Sequence, residues 1–204
     1  MTARIVVLAS GNGSNLQALL DASASAELDA SIVGLVCNRP DAYALERAAV
    51  AGVPTALLAA IPREPRADYD ARLAEVVDAM APDLVVLAGW MRLLSMPFLS
   101  RFPRSVINLH PALPGQFPGT HAIERALDAA RRGAIDHTGV MVHYVPDEGV
   151  DDGPVIATAS VVIHPDDTLD TLSDRVHAAE RVVLVSALRQ AISDGPRRAE
   201  PTSS

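Results

Sequence analysis

The sequence predicts an α/β fold with a doubly wound, mostly parallel sheet, helices on both faces and antiparallel additions in the C-terminal half. The first observation is that short apolar, β-branched segments alternate with segments of helical period over the first 110 residues. The second is that these apolar segments are continuous, which is typical of parallel strands covered on both faces. The third is a change of pattern after residue 110, where a Pro- and Gly-rich loop precedes two successive strands.

In the N-terminal half the apolar segments predict strands at 4–9, 31–36, 53–58, 84–88 and 105–109. The segments between them predict helices at 15–24, 41–51 and 67–81. The third helix is the clearest, because its apolar residues recur at helical spacing and form one face: Leu73, Val76, Val77 and Met80. Right-handed crossovers between successive parallel strands then give a Rossmann-like sheet.

In the C-terminal half the chain predicts a helix at 121–132 and two strands at 137–145 and 154–163, which we expect to pair antiparallel. A long final helix is predicted at 168–192, with an apolar face of Leu172, Val176, Val183 and Leu184. We expect a single domain over 1–194, with an N-terminal part at 1–104 and a C-terminal part at 105–194. Residues 195–204 carry no apolar face and are predicted to be a disordered tail.

Composition excludes several kinds of chemistry. All 17 basic residues of the 204 are arginine, so a lysine Schiff base, a lipoyl or biotinyl lysine and a Walker A lysine are excluded. Cys37 is the single cysteine, so neither an intrachain disulfide nor a cysteine-based zinc site can form. The net charge of −8 argues against a nucleic-acid partner. No leader or membrane-length apolar run is visible, which predicts a cytoplasmic protein with no membrane partner.

A loop of small residues follows the first predicted strand and leads into a helix: Gly11, Asn12, Gly13, Ser14 and Asn15. Small residues let the backbone approach a ligand, and a helix start offers unpaired N–H groups to an anion. The loop lacks the third glycine of a dinucleotide fingerprint, so a single phosphate is favoured. An alternative is that Ser14 or Asn15 only caps the helix.

Two polar side chains end the predicted strand at 105–109, and an acidic loop follows later. Asn108 and His110 are two apart, so their side chains point to the same side of the strand. An Asn amide can donate to a developing oxyanion, and an imidazole can donate to it or carry a proton. They could also merely cap a strand end. The later loop carries four carboxylates, which form either a solvated turn or a partner that orients the histidine: Asp147, Glu148, Asp151 and Asp152.

Together these segments resemble the glycinamide ribonucleotide formyltransferase family, the folate-dependent enzymes of purine synthesis. The resemblance runs from about residue 3 to 190. It is carried in order by SGNGSNLQ at 10–17, LAGWMRLL at 87–94, INLHPALP at 107–114, HTGVMVHYVPDEGVDDGPVI at 137–156 and RVHAAERVVL at 175–184. The resemblance implies transfer of a formyl group from 10-formyltetrahydrofolate to the amine of glycinamide ribonucleotide, without a metal.

The resemblance also implies residue roles. Asn108, His110 and Asp151 would be the catalytic residues, with Asp151 keeping His110 protonated. The phosphate would lie on Gly11, Asn12, Gly13, Ser14 and Asn15, near His177, which stands where the family usually has Lys or Gln. Glu180 would bind the ribose, and Pro111 would lie against the glycinamide end. The folate would contact Arg66, Met91, Arg92, Leu93, Leu94, Asn108, Val142 and Asp147. His121 and His143 would lie near the clefts.

Three alternatives remain at this stage. Methionyl-tRNA formyltransferases and formyltetrahydrofolate deformylases share the Asn, His and Asp trio, but each adds a further domain for which a chain of 204 residues has no room. A non-catalytic nucleotide- or folate-binding module is the third. The resemblance favours small-molecule substrates, no nucleic acid and, as an open possibility, a homodimer.

Overall fold

The computed structural model describes residues 2–195, and the predicted tail beyond Gly195 lies outside the described residues. Its strands are β1 (Ala3–Ala9), β2 (Ala30–Cys37), β3 (Thr55–Leu57), β4 (Leu84–Leu87), β5 (Val106–His110), β6 (His137–Tyr144) and β7 (Val155–Val162). Its helices are α1 (Ser14–Ala24), α2 (Ala44–Val50), α3 (Arg66–Asp78), α4 (Met96–Leu99), α5 (Ala122–Arg131) and α6 (Leu169–Ser193). Within the described range, no helix combines the length and apolarity needed to cross a membrane.

The strands form one seven-stranded sheet in the order β3-β2-β1-β4-β5-β6-β7. The first five strands in the chain run parallel to one another, whereas β6 pairs antiparallel with β5 and with β7. The prediction of a mostly parallel, doubly wound sheet with antiparallel additions is therefore confirmed. Strands from both predicted parts, 1–104 and 105–194, contribute to this single sheet.

Strand β1 shows why its apolar run is continuous. Ile5, Val7 and Ala9 pack on the face covered by α1, α2, α5 and α6. Val6 and Leu8 pack on the opposite face, against α3 and α4. Every residue from 5 to 9 is completely buried, so neither face of the strand can accept a polar side chain.

Strand order reverses beside β1, and this positions the functional site. From β1 the chain first builds outward through β2 and β3, and then returns to place β4 on the other side. The loops that leave the carboxyl ends of β1 and β4 therefore part in opposite directions and leave a crevice between them. The two loops stay linked, because the Ser10 N–H donates to Gly89 O at 3.1 Å and the Met91 N–H donates to Ser10 Oγ at 3.0 Å.

Two predicted elements differ in detail, and one helix was not predicted. The strand predicted at 53–58 shrinks to Thr55–Leu57, because only these residues pair with β2. The helix predicted at 67–81 ends at Asp78, and Ala81 takes a left-handed backbone conformation with φ 48°. The short helix α4 follows Ser95 and was not predicted, since four residues are too few to show a helical period. The apolar face predicted for α6 is buried as expected.

The start of α6 is held by a buried carboxylate. Asp167 Oδ2 accepts from the His164 N–H at 2.7 Å and from Arg175, and Oδ1 accepts from the Thr171 hydroxyl at 2.9 Å and from Arg175 Nη1 at 2.9 Å. The hydrogen bond from Arg175 holds the pKa of Asp167 well below its ordinary value. The ionised carboxylate therefore stabilises the fold at pH values above its unfolded pKa, and this contribution is lost as pH falls through the folded pKa.

We predict that Asp167→Ala lowers the free energy of unfolding at pH 7 by about 2 kcal/mol, because Arg175, Thr171 and the His164 N–H lose their shared acceptor. This corresponds to a fall in Tm of roughly 4–8 °C. Thermal unfolding followed by circular dichroism measures it, with Asp166→Ala at the exposed neighbouring position as control. The difference in Tm between the wild type and Asp167→Ala should shrink in strongly acidic buffer, where Asp167 is protonated. Equal Tm values for the two variants at pH 7 would contradict the assignment.

Candidate active site

The loop after β1 leads into α1, whose N-terminus has no side-chain cap. The N-cap residue of α1 is Gly13, in a left-handed conformation with φ 76°, and no side chain caps the helix. The alternative in which Ser14 or Asn15 caps the helix is therefore wrong, because both residues lie inside its first turn. Within residues 2–195 the backbone N–H groups of residues 12–16 have no hydrogen-bond acceptor. The helix start thus offers a cluster of free donors, which suits an anion.

A buried carboxylate lies beside this loop. Glu180 on α6 is 6% exposed, and its Oε2 accepts a hydrogen bond from Asn15 Nδ2 at 3.0 Å. Burial raises the pKa of Glu180, although the Asn15 hydrogen bond and the nearby His177 oppose that shift. His177 lies one turn earlier on α6 and is exposed. Residues predicted from two distant motifs, 10–17 and 175–184, are therefore brought together.

Asn108, His110 and Asp151 form one hydrogen-bonded cluster at the end of β5. Asn108 Nδ2 donates to Asp151 Oδ1 at 2.9 Å, and His110 Nδ1 lies 3.2 Å from Asp151 Oδ2. The Gly119 N–H donates to Asp151 Oδ2 at 2.8 Å. Asp151 is held with φ 55°, an unusual conformation for a non-glycine residue, whereas Asp152 is exposed. Of the two adjacent carboxylates, the fold thus directs Asp151 at the histidine.

His143 belongs to the same cluster. It lies opposite Asn108 in the antiparallel pairing of β5 with β6, and its Nε2 is 3.1 Å from Asn108 Nδ2. Its Nδ1 is 2.9 Å from Tyr144 O, which can only accept, so Nδ1 carries a hydrogen. The Asn108 amide nitrogen lies between Asp151 and His143, within hydrogen-bonding distance of both.

The charge states in the cluster follow from burial and hydrogen bonding. Burial lowers the pKa of His110 by more than Asp151 and the Phe117 carbonyl raise it. Burial therefore opposes the charged imidazolium that Asp151 and the Phe117 carbonyl favour, and the protonated state of His110 beside Asp151 stays a prediction. Burial opposes ionisation of Asp151, but contacts with His143, the Gly119 N–H and His110 outweigh it and bring the pKa of Asp151 below its ordinary value.

In its neutral form, His110 has an unfavourable contact that a second proton would relieve. Its Nδ1 faces Asp151 and its Nε2 faces Phe117 O at 3.2 Å, and both of these partners are acceptors. A neutral imidazole has one N–H and can satisfy only one of them. The imidazole can therefore take up a proton without rearranging its neighbours.

A cavity of about 490 Å³ opens beside the cluster. It is bordered by many of the predicted residues: Met91, Arg92, Leu93, Leu94, Asn108, His110, Pro111, His121, His143, Asp147 and Asp151. Met91 is 70% exposed and Leu93 is 51% exposed, which is typical of an apolar site open to a ligand. The Arg92 guanidinium stacks 4.1 Å from the centre of the Tyr69 ring.

Two predicted folate residues lie outside the cavity wall. Val142 on β6 is completely buried in the core, whereas Val145 borders the cavity. Arg66, the first residue of α3, forms an ion pair with Glu148 of the acidic loop. Glu148 also accepts from the Met96 N–H at 3.0 Å, so it ties the acidic loop to α3 and α4. Sequence reasoning missed this role, because four carboxylates in one loop look alike until their partners are known.

Within residues 2–195, no group of three or more His, Cys, Asp or Glu side chains is placed to hold a metal ion. Cys37 is completely buried at the end of β2, and its thiol contacts Arg39 O at 3.2 Å. It therefore behaves as a small core residue.

The family model described as formyl transferase matches residues 3–188. The chain belongs to this family. It is 47% identical over 206 residues to a phosphoribosylglycinamide formyltransferase of Schizosaccharomyces pombe, covering 95% of this chain and 99% of the relative. It is 42% identical over 179 residues to the enzyme of that name from Escherichia coli, covering 88% and 82%. The solved structure of glycinamide ribonucleotide transformylase 1 from Symbiobacterium toebii has a TM-score of 0.89 and 38% identity, covering 98% and 92%.

Membership of this formyltransferase family confirms the resemblance drawn from the motifs. It implies small-molecule substrates and a folate-type one-carbon donor. The similarity extends over nearly the whole chain, so it includes both the loop after β1 and the cluster at the end of β5.

We predict that Asp151→Asn lowers kcat for formyl transfer by about 10²- to 10³-fold, since proton transfer by a positioned group contributes on that order. The variant replaces one acceptor oxygen with an NH2 group, which opposes either the donor Asn108 Nδ2 or the Gly119 N–H, since these bond to different oxygens. Asp152→Asn is the matched control, because it makes the same change at the exposed neighbour and should leave kcat unaltered. Steady-state kinetics decides the assignment, which is overturned if Asp152→Asn is the slower enzyme.

We also predict that the pKa of His110 lies below the ordinary histidine value of about 6.5 and falls further in Asp151→Asn. The carboxylate stabilises the imidazolium, so its removal favours the neutral ring. NMR titration of the imidazole resonances measures both values, and Asp152→Asn again serves as control. A His110 pKa above the ordinary value, or one that Asp151→Asn raises, would contradict this picture.

Proposed function

We propose that this chain transfers the formyl group of 10-formyltetrahydrofolate to the amine of 5′-phosphoribosylglycinamide. The products are formylglycinamide ribonucleotide and tetrahydrofolate, in de novo purine synthesis leading to IMP. The observation that carries the proposal is the convergence of two polar sites on one crevice. The loop that follows β4 lies between them. On one side is the cluster of free N–H groups after β1, and on the other is the cluster of Asn108, His110 and Asp151 at the end of β5.

The ribonucleotide is held, in this proposal, by the start of α1 and by α6. Its phosphate accepts hydrogen bonds from the backbone N–H groups of residues 11–15, close to the exposed His177. Its ribose hydroxyls meet Glu180, which the Asn15 hydrogen bond holds in place. The glycinamide end then lies along Pro111, which borders the cavity next to His110.

The folate occupies the cavity of about 490 Å³ in this proposal. The apolar side chains of Met91, Leu93 and Leu94 cover the pterin ring, and Asn108 and Asp147 supply polar contacts. Val142 supports this wall from the core. Arg92 and Arg66 lie near the cavity and bind the carboxylates at the glutamate end of the folate. Arg66 breaks its ion pair with Glu148 to do so.

The transfer needs no protein nucleophile. The amine nitrogen of the ribonucleotide attacks the formyl carbon, and a C–N bond forms while the carbonyl oxygen becomes an oxyanion. The Asn108 amide group turns away from one of its partners in the free protein and donates a hydrogen bond to the oxyanion. Such a donor contributes about 10²- to 10³-fold in rate. The amine loses a proton to the His110 and Asp151 pair. N10 of the folate receives a proton as its bond to the formyl carbon breaks.

In this proposal the substrates are small molecules, and the chain binds no nucleic acid. Supporting it is the net charge of −8, which disfavours a polyanionic RNA, while local N–H groups and arginines can still bind small anions. A cytoplasmic location and a homodimer stay predictions from the sequence.

The deciding experiment mixes the purified chain with 10-formyltetrahydrofolate and glycinamide ribonucleotide and follows tetrahydrofolate by absorbance. We expect turnover that requires the ribonucleotide and gives one formylated ribonucleotide for each folate consumed. Formate release without the ribonucleotide would indicate a deformylase instead. Formylation of methionyl-tRNA in preference to the ribonucleotide would indicate a tRNA enzyme. A folded protein that shows no turnover with any acceptor would overturn the proposal.

A further inference from the structure

Helix α2 packs directly against the loop at residues 11–15. Gly13 is the point of contact, because a Cβ atom there would lie 2.8 Å from both Cα and Cβ of Ala44. The same atom would lie 3.3 Å from Cδ of Arg47. The loop and the start of α2 therefore form a single packed unit.

The guanidinium of Arg47 is bound to this loop through three different nitrogens. Its Nε donates to Asn12 O at 3.0 Å, Nη2 donates to Asn12 Oδ1 at 3.2 Å, and Nη1 donates to Gln17 Oε1 at 3.2 Å. The guanidinium also stacks on Tyr43, with its central carbon 4.8 Å from the ring centre. These contacts fix the orientation of the group as well as its position.

These bonds decide where the N–H groups of the loop point. In a trans peptide unit the carbonyl and the following N–H point in opposite directions. Arg47 holds the Asn12 carbonyl, and the Ala44 N–H holds the Gly11 carbonyl at 3.1 Å. The N–H groups of Asn12 and Gly13 must therefore point away from α2. Within residues 2–195 neither N–H has an acceptor.

We propose that Arg47 is a positioning residue for the phosphate of the ribonucleotide substrate. It holds the Asn12 carbonyl toward α2, while the Ala44 N–H holds the Gly11 carbonyl, and the N–H groups of Asn12 and Gly13 are thereby directed at the anion. The inference rests on the proposed function. It also explains how a chain without lysine places a permanent positive charge at this loop. The charge lies behind the N–H groups, so it reinforces their attraction for an anion without itself contacting the ligand.

The test compares Arg47→Gln with the wild type. Loss of charge-assisted bonds to the loop should raise the KM for glycinamide ribonucleotide by about 10- to 100-fold. The KM for 10-formyltetrahydrofolate and kcat at saturating ribonucleotide should not change. Arg47→Lys keeps the charge but loses the fork of donors, so it should recover only part of the affinity. Arg39→Gln is the matched control, since it removes an arginine whose exposed ion pair with Asp41 lies just before α2.

A second measurement separates positioning from a general loss of structure. Calorimetry gives the affinity of the wild type and of Arg47→Gln for the phosphorylated substrate and for its dephosphorylated riboside. We expect Arg47→Gln to weaken binding of the phosphorylated compound alone. Equal affinity of the two proteins for that compound, or equal weakening for both compounds, would overturn the inference. Because binding is measured without turnover, a wild type that binds the ribonucleotide but transfers no formyl group contradicts the proposed function and leaves this test decisive.

Discussion

Strand β1 lies at the centre of the sheet with helices on both faces, and its residues 5–9 are inaccessible to solvent. Its hydrogen-bonding edges are taken by β2 on one side and β4 on the other, so the chain must leave it at the carboxyl end. The loop there faces the loop after β4, which turns the other way, and a crevice results. Every part of the site uses this crevice, since the anion loop, the cavity and the end of β5 all border it.

A second constraint acts on the chemistry at the end of β5. Asp151 is a largely buried carboxylate that receives hydrogen bonds from Asn108 on β5 and from the Gly119 N–H in the following loop. Such a charge is stable only while its donors are in place, because an unpaired buried carboxylate is strongly unfavourable. The same bonds orient the imidazole of His110. The catalytic geometry and the stability of these loops therefore depend on one another.

The acidic character of the chain does not prevent anion binding. A net charge of −8 describes the surface as a whole, whereas the loop after β1 presents free N–H groups backed by Arg47. Glu180 lies next to this loop, but burial raises its pKa. Its neutral form is therefore more favoured than that of an exposed glutamate. Local donors and local desolvation, and not the total charge, decide which ligand fits.

The amino-acid sequence predicts the alternation of strands and helices except for α4, excludes lysine chemistry and puts Asn108 and His110 on one side of a strand. These follow from short-range periodicity and composition. The tertiary structure brings Asp151, the residue that the resemblance implied, next to His110 and leaves Asp152 exposed. It lowers the pKa of His110 by burial and makes Gly13 the N-cap of α1. It also placed Arg47 behind the anion loop and Glu148 against Arg66. These depend on burial and on contacts between residues far apart in the chain, and no local pattern carries that information.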